Sequence, residues 1–221
     1  MSDDIKVWCE EYPRPDQKIF YNHLDRFNGK EMTRQEAEQL ITEHPELLSY
    51  EDAGGADLMN YAVLGEHFGL VDLLIERGAD INRRSNDKST ILHSAVTIAI
   101  GPYYSYKYSY LPVKAVDYVQ RFIDLGSDCY AKTMTMDTPF HYATTLGTTN
   151  DELAAREWNC VQYRRLLEIL VTAMLKGDKG HIYSIREILE MPNKYGYTPL
   201  GKSTVNNPVA AEYFKELLSK E

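Results

Sequence analysis

The sequence has few cysteines, no long apolar run and a deficit of positive charge. Three scattered cysteines among 221 residues do not predict a disulfide framework and are typical of a reducing compartment. The longest apolar stretch, residues 166–175, is interrupted by Glu168 and is shorter than the ~20 residues of a membrane-spanning helix. The net charge of −9 disfavours nucleic acid, because phosphate binding requires a basic surface. We therefore expect a cytoplasmic protein without membrane insertion or nucleic-acid binding.

Catalytic and metal-binding signatures are also missing. The histidines at positions 23, 44, 67 and 181 are far apart, and no Cys-x-x-Cys pair occurs, so the spacing predicts no metal site. A Cys160–His141 pair is conceivable, but nothing in the sequence places a thiolate within reach of that imidazole. No glycine-rich phosphate loop is present. We predict no catalytic residues and no cofactor.

Tyrosine and acidic residues are unevenly distributed. The chain has 17 tyrosines against 6 phenylalanines, and five of the tyrosines fall within residues 101–112. Residues 1–57 hold 14 of the 33 acidic residues but only 6 of the 24 basic ones. Both features are therefore local rather than properties of the whole chain.

Short motifs recur along the chain. The segment Thr-Ile-Leu-His-Ser-Ala at 90–95 is followed by Thr-Pro-Phe-His-Tyr-Ala at 138–143 and by Thr-Pro-Leu at 198–200. Gly-Ala-Asp-Ile-Asn at 78–82 has a counterpart in Gly-Ser-Asp at 126–128. Recurrence of this kind is the signature of a repeat architecture.

The spacing of these motifs is regular. Ala95 follows Ala62 by 33 residues, and Gly78 and Gly126 each precede a motif threonine by 12 residues. The motifs resemble the Thr-Pro-Leu-His-x-Ala and Gly-Ala-Asp-x-Asn signatures of the ankyrin repeat, a module of about 33 residues. The resemblance implies an all-α ankyrin-repeat solenoid of helix–turn–helix repeats with β-hairpin finger loops.

The resemblance also assigns roles to single residues. It implies that His93 and His141 bond neighbouring backbone and pin adjacent repeats. A threonine at the start of each inner helix is suited to cap free amides. A glycine after each outer helix can adopt the left-handed conformation that ends it.

The repeat frame divides the chain into a cap and a repeat domain. Residues 1–50 are predicted to be a degenerate repeat that forms an N-terminal helical cap, with Thr33 and Glu36 as a capping box. Residues 51–221 are predicted to hold the ankyrin repeats. Three irregular insertions interrupt them, at about 101–115, 148–165 and 180–191, and a C-terminal capping helix covers about 208–219. In the third insertion, Ser184 is expected to cap a short helix.

The predicted function is that of a non-enzymatic protein–protein interaction module. Ankyrin proteins commonly bind partner proteins through the concave face and the fingers, and a tyrosine- and serine-rich segment offers a second binding surface. Whether that segment binds a partner or packs on the solenoid edge stays open. The candidate partner-binding residues are Arg83, Arg84, Asp87, Lys132 and Asp137 in the fingers, and Tyr103, Tyr104, Tyr106, Tyr108, Tyr110 and Trp158 in the insertions.

Other functions are compatible with the same pattern. A cleft between the first two insertions could form an enzyme active site or a small-ligand site. An acidic patch could dock a basic partner, as in a scaffold or an antitoxin-like inhibitor. Long irregular insertions and a glutamate-bearing tail resemble ankyrin effectors that intracellular bacteria deliver into host cells, which implies secretion without a signal peptide.

Overall fold

The described part of the chain is mostly helical. A computed structural model describes residues 20, 23–24, 32–100, 113–144, 157–206 and 208–220. Within those residues there is no strand, and isolated β-bridges join only Glu51 to Asp57 and Asp178 to His181. The all-α class is therefore confirmed. The helices are α1 (Arg34–Glu43), α2 (Leu58–Leu64), α3 (Phe68–Glu76), α4 (Ile91–Ala99), α5 (Val113–Asp124), α6 (Pro139–Ala143), α7 (Glu157–Met174), α8 (Ile185–Leu189), α9 (Pro199–Asn206) and α10 (Pro208–Leu218), with a 3₁₀ helix at Pro45–Leu48.

The chain divides into two compact units, residues 1–80 and 81–221. In the first unit α3 packs against both α1 and α2. The predicted capping box begins α1, because the Thr33 amide donates to Glu36 at 2.8 Å and the Glu36 amide donates to the Thr33 hydroxyl at 3.3 Å. Ala37, Leu40 and Ile41 form the buried face of α1, with the i, i+3, i+4 spacing of an amphipathic helix.

The second unit is built from helix pairs. Helix α4 packs on α5, α6 on α7, and α9 on α10, while α7 also contacts α4, α5, α8 and α10. On the flanks of α7, Arg165 pairs with Asp117 of α5 at 2.6 Å, and Arg164 pairs with Glu216 of α10. The helices predicted at Ser184 and over 208–219 are present as α8, capped by Ser184, and as α10.

Four short turns share one hydrogen-bond pattern. They cover residues 52–56, 85–89, 133–137 and 193–197. In each, the first amide donates to the fifth carbonyl and the fourth amide donates to the first carbonyl, over 2.8–3.0 Å. The fourth residue always has a positive φ, between 62° and 78°. The turns therefore form a structural repeat.

The positions of the turns match the spacing of the motifs. Successive turns begin 33, 48 and 60 residues apart. The excess over 33 residues is 15 and then 27, and these extra residues fall in the intervals where the three insertions are predicted. The residue after each turn caps a helix: Asp57, Thr90, Thr138 and Thr198 begin α2, α4, α6 and α9.

The glycines predicted to end the outer helices do so. Gly78, Gly126 and Gly177 follow α3, α5 and α7 with φ of 82°, 94° and 85°. Their surroundings differ. A Cβ on Gly177 would lie 2.2 Å from the His181 carbonyl oxygen, whereas a Cβ on Gly126 would meet nothing within 4 Å.

We therefore expect Gly177→Ala to destabilise the protein more than Gly126→Ala. The left-handed conformation costs an alanine about 1–2 kcal/mol, and Gly126→Ala should lower the free energy of unfolding by only that amount. Gly177→Ala must also shift the backbone at His181, so its loss should exceed that of Gly126→Ala by at least ~1 kcal/mol, within the usual range for strained sites. Urea unfolding followed by circular dichroism measures both losses, and equal losses would contradict the prediction.

Candidate binding surface

Three of the repeated turns lie side by side in the second unit. The Met134 amide donates to the Asp87 carbonyl at 2.7 Å, and the Lys194 amide donates to the Thr135 carbonyl at 2.8 Å. These bonds join turn 85–89 to turn 133–137, and turn 133–137 to turn 193–197. We call the three turns the loop ridge.

His93 links helix α4 to the loop ridge. Its Nδ1 accepts a hydrogen bond from the Thr90 amide at 3.1 Å, and its Nε2 lies 3.2 Å from the Asp137 carbonyl oxygen. An amide can only donate, so Nδ1 is unprotonated and the proton on Nε2 donates to the carbonyl. The imidazole therefore caps its own helix and holds the next turn.

His141 makes the same connection one helix pair later. Its Nδ1 accepts from the Thr138 amide at 3.2 Å, and its Nε2 donates to the Met191 carbonyl at 2.9 Å. Burial lowers the pKa of both His93 and His141 to about 4, because an imidazolium would lose its hydration. The predicted role of the two histidines, bonding neighbouring backbone, is confirmed.

Asp137 joins two turns of the ridge. Its carboxylate accepts hydrogen bonds from Thr135 at 2.6 Å, from the Asn193 amide group at 2.9 Å and from Lys202 at 3.3 Å. Burial raises the pKa of this carboxyl, but the hydrogen bonds and the Lys202 charge outweigh burial and lower it. Only 13% of the Asp137 side chain and 18% of the Lys202 side chain are exposed. Asp137, one of the predicted partner-binding residues, is therefore engaged in hydrogen bonds within the protein.

The other predicted finger residues form a charged border: Asp87 lies in turn 85–89 at one end of the ridge, and Arg83, Arg84 and Lys132 come just before ridge turns. Arg84 is exposed, donates to the Lys132 carbonyl at 3.1 Å and lies 3.7 Å from the Asp128 carboxylate. Asp87 is exposed and accepts from Ser85 at 2.6 Å and from the Ser89 hydroxyl at 2.7 Å. Burial raises the Asp87 pKa, but these hydrogen bonds lower it overall. Arg83 and Lys132 are half-buried.

The loop ridge exposes large apolar side chains that the sequence analysis did not select. Met134 and Met136 are 61% and 42% exposed, and Tyr195 and Tyr197 on the next turn are 65% and 60% exposed. The signal available in the sequence was the occurrence of methionine and tyrosine in turns, where polar residues and glycine are usual. Two adjacent turns therefore carry an apolar surface on a hydrogen-bonded frame.

The predicted residues of the insertions fall largely outside this description. Tyr103, Tyr104, Tyr106, Tyr108 and Tyr110 lie outside the described residues, as does the side chain of Trp158. Their assignment to partner binding stays a prediction.

In the second unit the Cys129 thiol is buried, and the His141 imidazole is hydrogen-bonded through both nitrogens. Burial raises the pKa of the Cys129 thiol to about 12, which keeps it protonated. Both nitrogens of His141 are engaged with backbone groups. The side chain of Cys160 lies outside the described residues.

The chain matches no protein-family model and no curated protein sequence. Among the described residues, no helix is both long and apolar enough to cross a membrane. The ankyrin resemblance therefore depends on the sequence motifs alone.

The pKa of His93 predicts a specific dependence of stability on pH. The folded-state value of about 4 lies below the value of about 6.5 for an unfolded chain. The unfolded chain therefore takes up the proton first as the pH falls. Protonation of His93 in the unfolded chain should therefore lower the free energy of unfolding by ~3 kcal/mol as the pH falls from 6.5 to 4.

We expect His93→Asn to remove that pH dependence. Asn60 already occupies the equivalent position in α2, where it accepts from the Asp57 amide at 3.2 Å, so the variant keeps the cap. It removes the imidazole donor to the Asp137 carbonyl, which still accepts from the Thr133 amide at 3.0 Å. At pH 7 the loss should be ~1 kcal/mol, the net contribution of one hydrogen bond. Urea unfolding at several pH values should show that the difference in free energy of unfolding between the wild type and His93→Asn becomes smaller as the pH falls to 4.5. The control is His181→Asn, which replaces an exposed histidine; a loss in His93→Asn that stays constant with pH would contradict the assignment.

Proposed function

We propose that this chain is a non-enzymatic protein–protein interaction module of the ankyrin-repeat type, and that it binds its partner through the loop ridge. The observation that carries the proposal is the exposure of Met134, Met136, Tyr195 and Tyr197 on two adjacent turns. Exposed apolar side chains that cluster on a surface mark interaction sites, whereas scattered ones do not.

The construction of the ridge favours binding. Its backbone is fixed by bonds within each turn and between turns, so little conformational entropy is lost on association. Tyrosine and methionine are enriched at the centres of protein interfaces. The ridge thus combines a rigid frame with side chains that adapt to an apolar partner surface.

The charged border would add specificity. Arg84, just before turn 85–89, and Asp87, within it, are exposed and carry opposite charges. Charges at the border of an interface affect the association rate and the choice of partner more than the affinity. We assign the affinity to the methionines and tyrosines, and the selectivity to Arg84, Asp87 and the half-buried Arg83 and Lys132.

Several observations support the ankyrin type of architecture. Four turns recur in the 33-residue frame, allowing for the insertions, and the threonine and histidine of the motif cap helices α4 and α6. The helices follow in pairs within the second unit, and each pair contacts the next through α7. Repeat proteins of this type use extended surfaces for binding rather than enclosed sites.

A double substitution, Met134→Ser with Tyr195→Ser, tests the ridge. Affinity capture from cell lysate with the wild-type chain should recover a partner that this variant recovers at least about tenfold less, since two interface anchors commonly contribute more than 1.4 kcal/mol together. Both positions lie outside helices and are exposed, so the fold should tolerate serine there.

Two controls separate the ridge from other surfaces. Val161→Ser with Ile182→Ser removes two apolar side chains that are 58% and 76% exposed elsewhere and should leave capture unchanged. Deletion of residues 103–110 tests the tyrosine-rich segment. If the ridge variant recovers the partner as well as the wild type does, the ridge is not the binding surface. If only the deletion variant fails to recover the partner, the tyrosine-rich segment is the binding surface instead.

A further inference from the structure

We propose that His23, His44 and Glu46 bind one divalent transition-metal cation of the Zn²⁺ class in the first unit. One ligand atom from each residue lies within 4.8 Å of the other two. The two imidazole rings have their centroids 3.8 Å apart, and His44 Nδ1 lies 3.2 Å from Glu46 Oε1. This site is independent of the loop ridge and of the proposed function.

The three residues are held by buried neighbours. His44 directly follows α1, and its amide donates to the Leu40 carbonyl at 2.9 Å. Glu46 belongs to the 3₁₀ helix, whose Leu47 is fully buried. His23 precedes the buried Leu24. Two segments that are separate in the sequence are thus anchored in the core with their metal-binding side chains facing one another.

The donor set suits zinc. Imidazole nitrogen and carboxylate oxygen are both zinc ligands, and two histidines with one glutamate leave a fourth position for water. In a tetrahedral site with bonds of about 2.0–2.1 Å, ligand atoms lie about 3.4 Å apart. Two imidazoles that share such a site hold their ring centroids about 5 Å apart. The rings of His23 and His44, whose centroids are 3.8 Å apart, must therefore separate by about 1–1.5 Å to admit the cation. The Glu46 side chain is 52% exposed and has room to follow.

The net charge of this part of the chain favours a cation. Residues 1–57, which include all three ligands, hold 14 acidic and 6 basic residues. A net negative charge raises the local concentration of cations. The sequence predicts no metal site because His23 and His44 are 21 residues apart; the fold brings them together.

Zinc titration of the metal-free full chain by calorimetry tests the site. The wild type should bind one Zn²⁺ per chain. His23→Ala, His44→Ala and Glu46→Gln should each weaken binding by about tenfold or more, since even residues behind the ligands commonly change metal affinity 10–100-fold. His181→Ala is the matched control, because it removes an exposed histidine that lies 3.8 Å from Glu187 and to which the described residues add no third ligand. It should bind as the wild type does.

A second measurement keeps the test decisive if an alanine variant misfolds. Glu46→Gln changes one atom of an exposed side chain and should fold normally. Zn²⁺ should shift the imidazole nitrogen resonances of His23 and His44 in the wild type, but not those of His181, and should raise the melting temperature of the wild type more than that of Glu46→Gln. Absence of Zn²⁺ binding by the wild type, or equal affinity in all ligand variants, would overturn the proposal.

Discussion

The neutral imidazoles of His93 and His141 hold the second unit together at its turns. Each accepts from the amide that begins its own helix and donates to a carbonyl 44 or 50 residues further on. A neutral imidazole can do both because its two nitrogens have opposite roles and lie on opposite sides of a rigid ring. A charged imidazole would lose the first bond, so the low pKa that burial causes is a condition of the architecture.

The arrangement of the proposed binding surface follows from this constraint. Because His93 fixes the carbonyl of Asp137, and Asp137 in turn holds Asn193 and Lys202, turns 133–137 and 193–197 have defined positions before any partner is present. Exposed methionine and tyrosine would otherwise tend to collapse onto nearby apolar surface. On this frame they remain exposed, because the turns that carry them are held in place by hydrogen bonds.

Local features of the fold could be predicted from the sequence, and contacts between distant residues could not. The cap at Thr33, the glycines after α3, α5 and α7 and the roles of the two histidines depend on motifs a few residues long. The Asp137–Lys202 pair and the His23–His44 cluster join segments whose proximity no local pattern encodes. The positive φ of Lys88 and Met136, the fourth residues of turns 85–89 and 133–137, could not be predicted for a different reason. Their φ values of 66° and 62° are ones that usually require glycine or asparagine.

The four turns show how different residues satisfy one physical requirement. The backbone amides inside each turn need an acceptor, which Asp52, Thr133 and Asn193 supply from their own side chains. Turn 85–89 begins with serine, and there Asp87 accepts from the Ser89 amide at 3.0 Å instead. The repeat is thus defined by a side-chain oxygen near the turn amides and a residue that tolerates positive φ, rather than by residue identity.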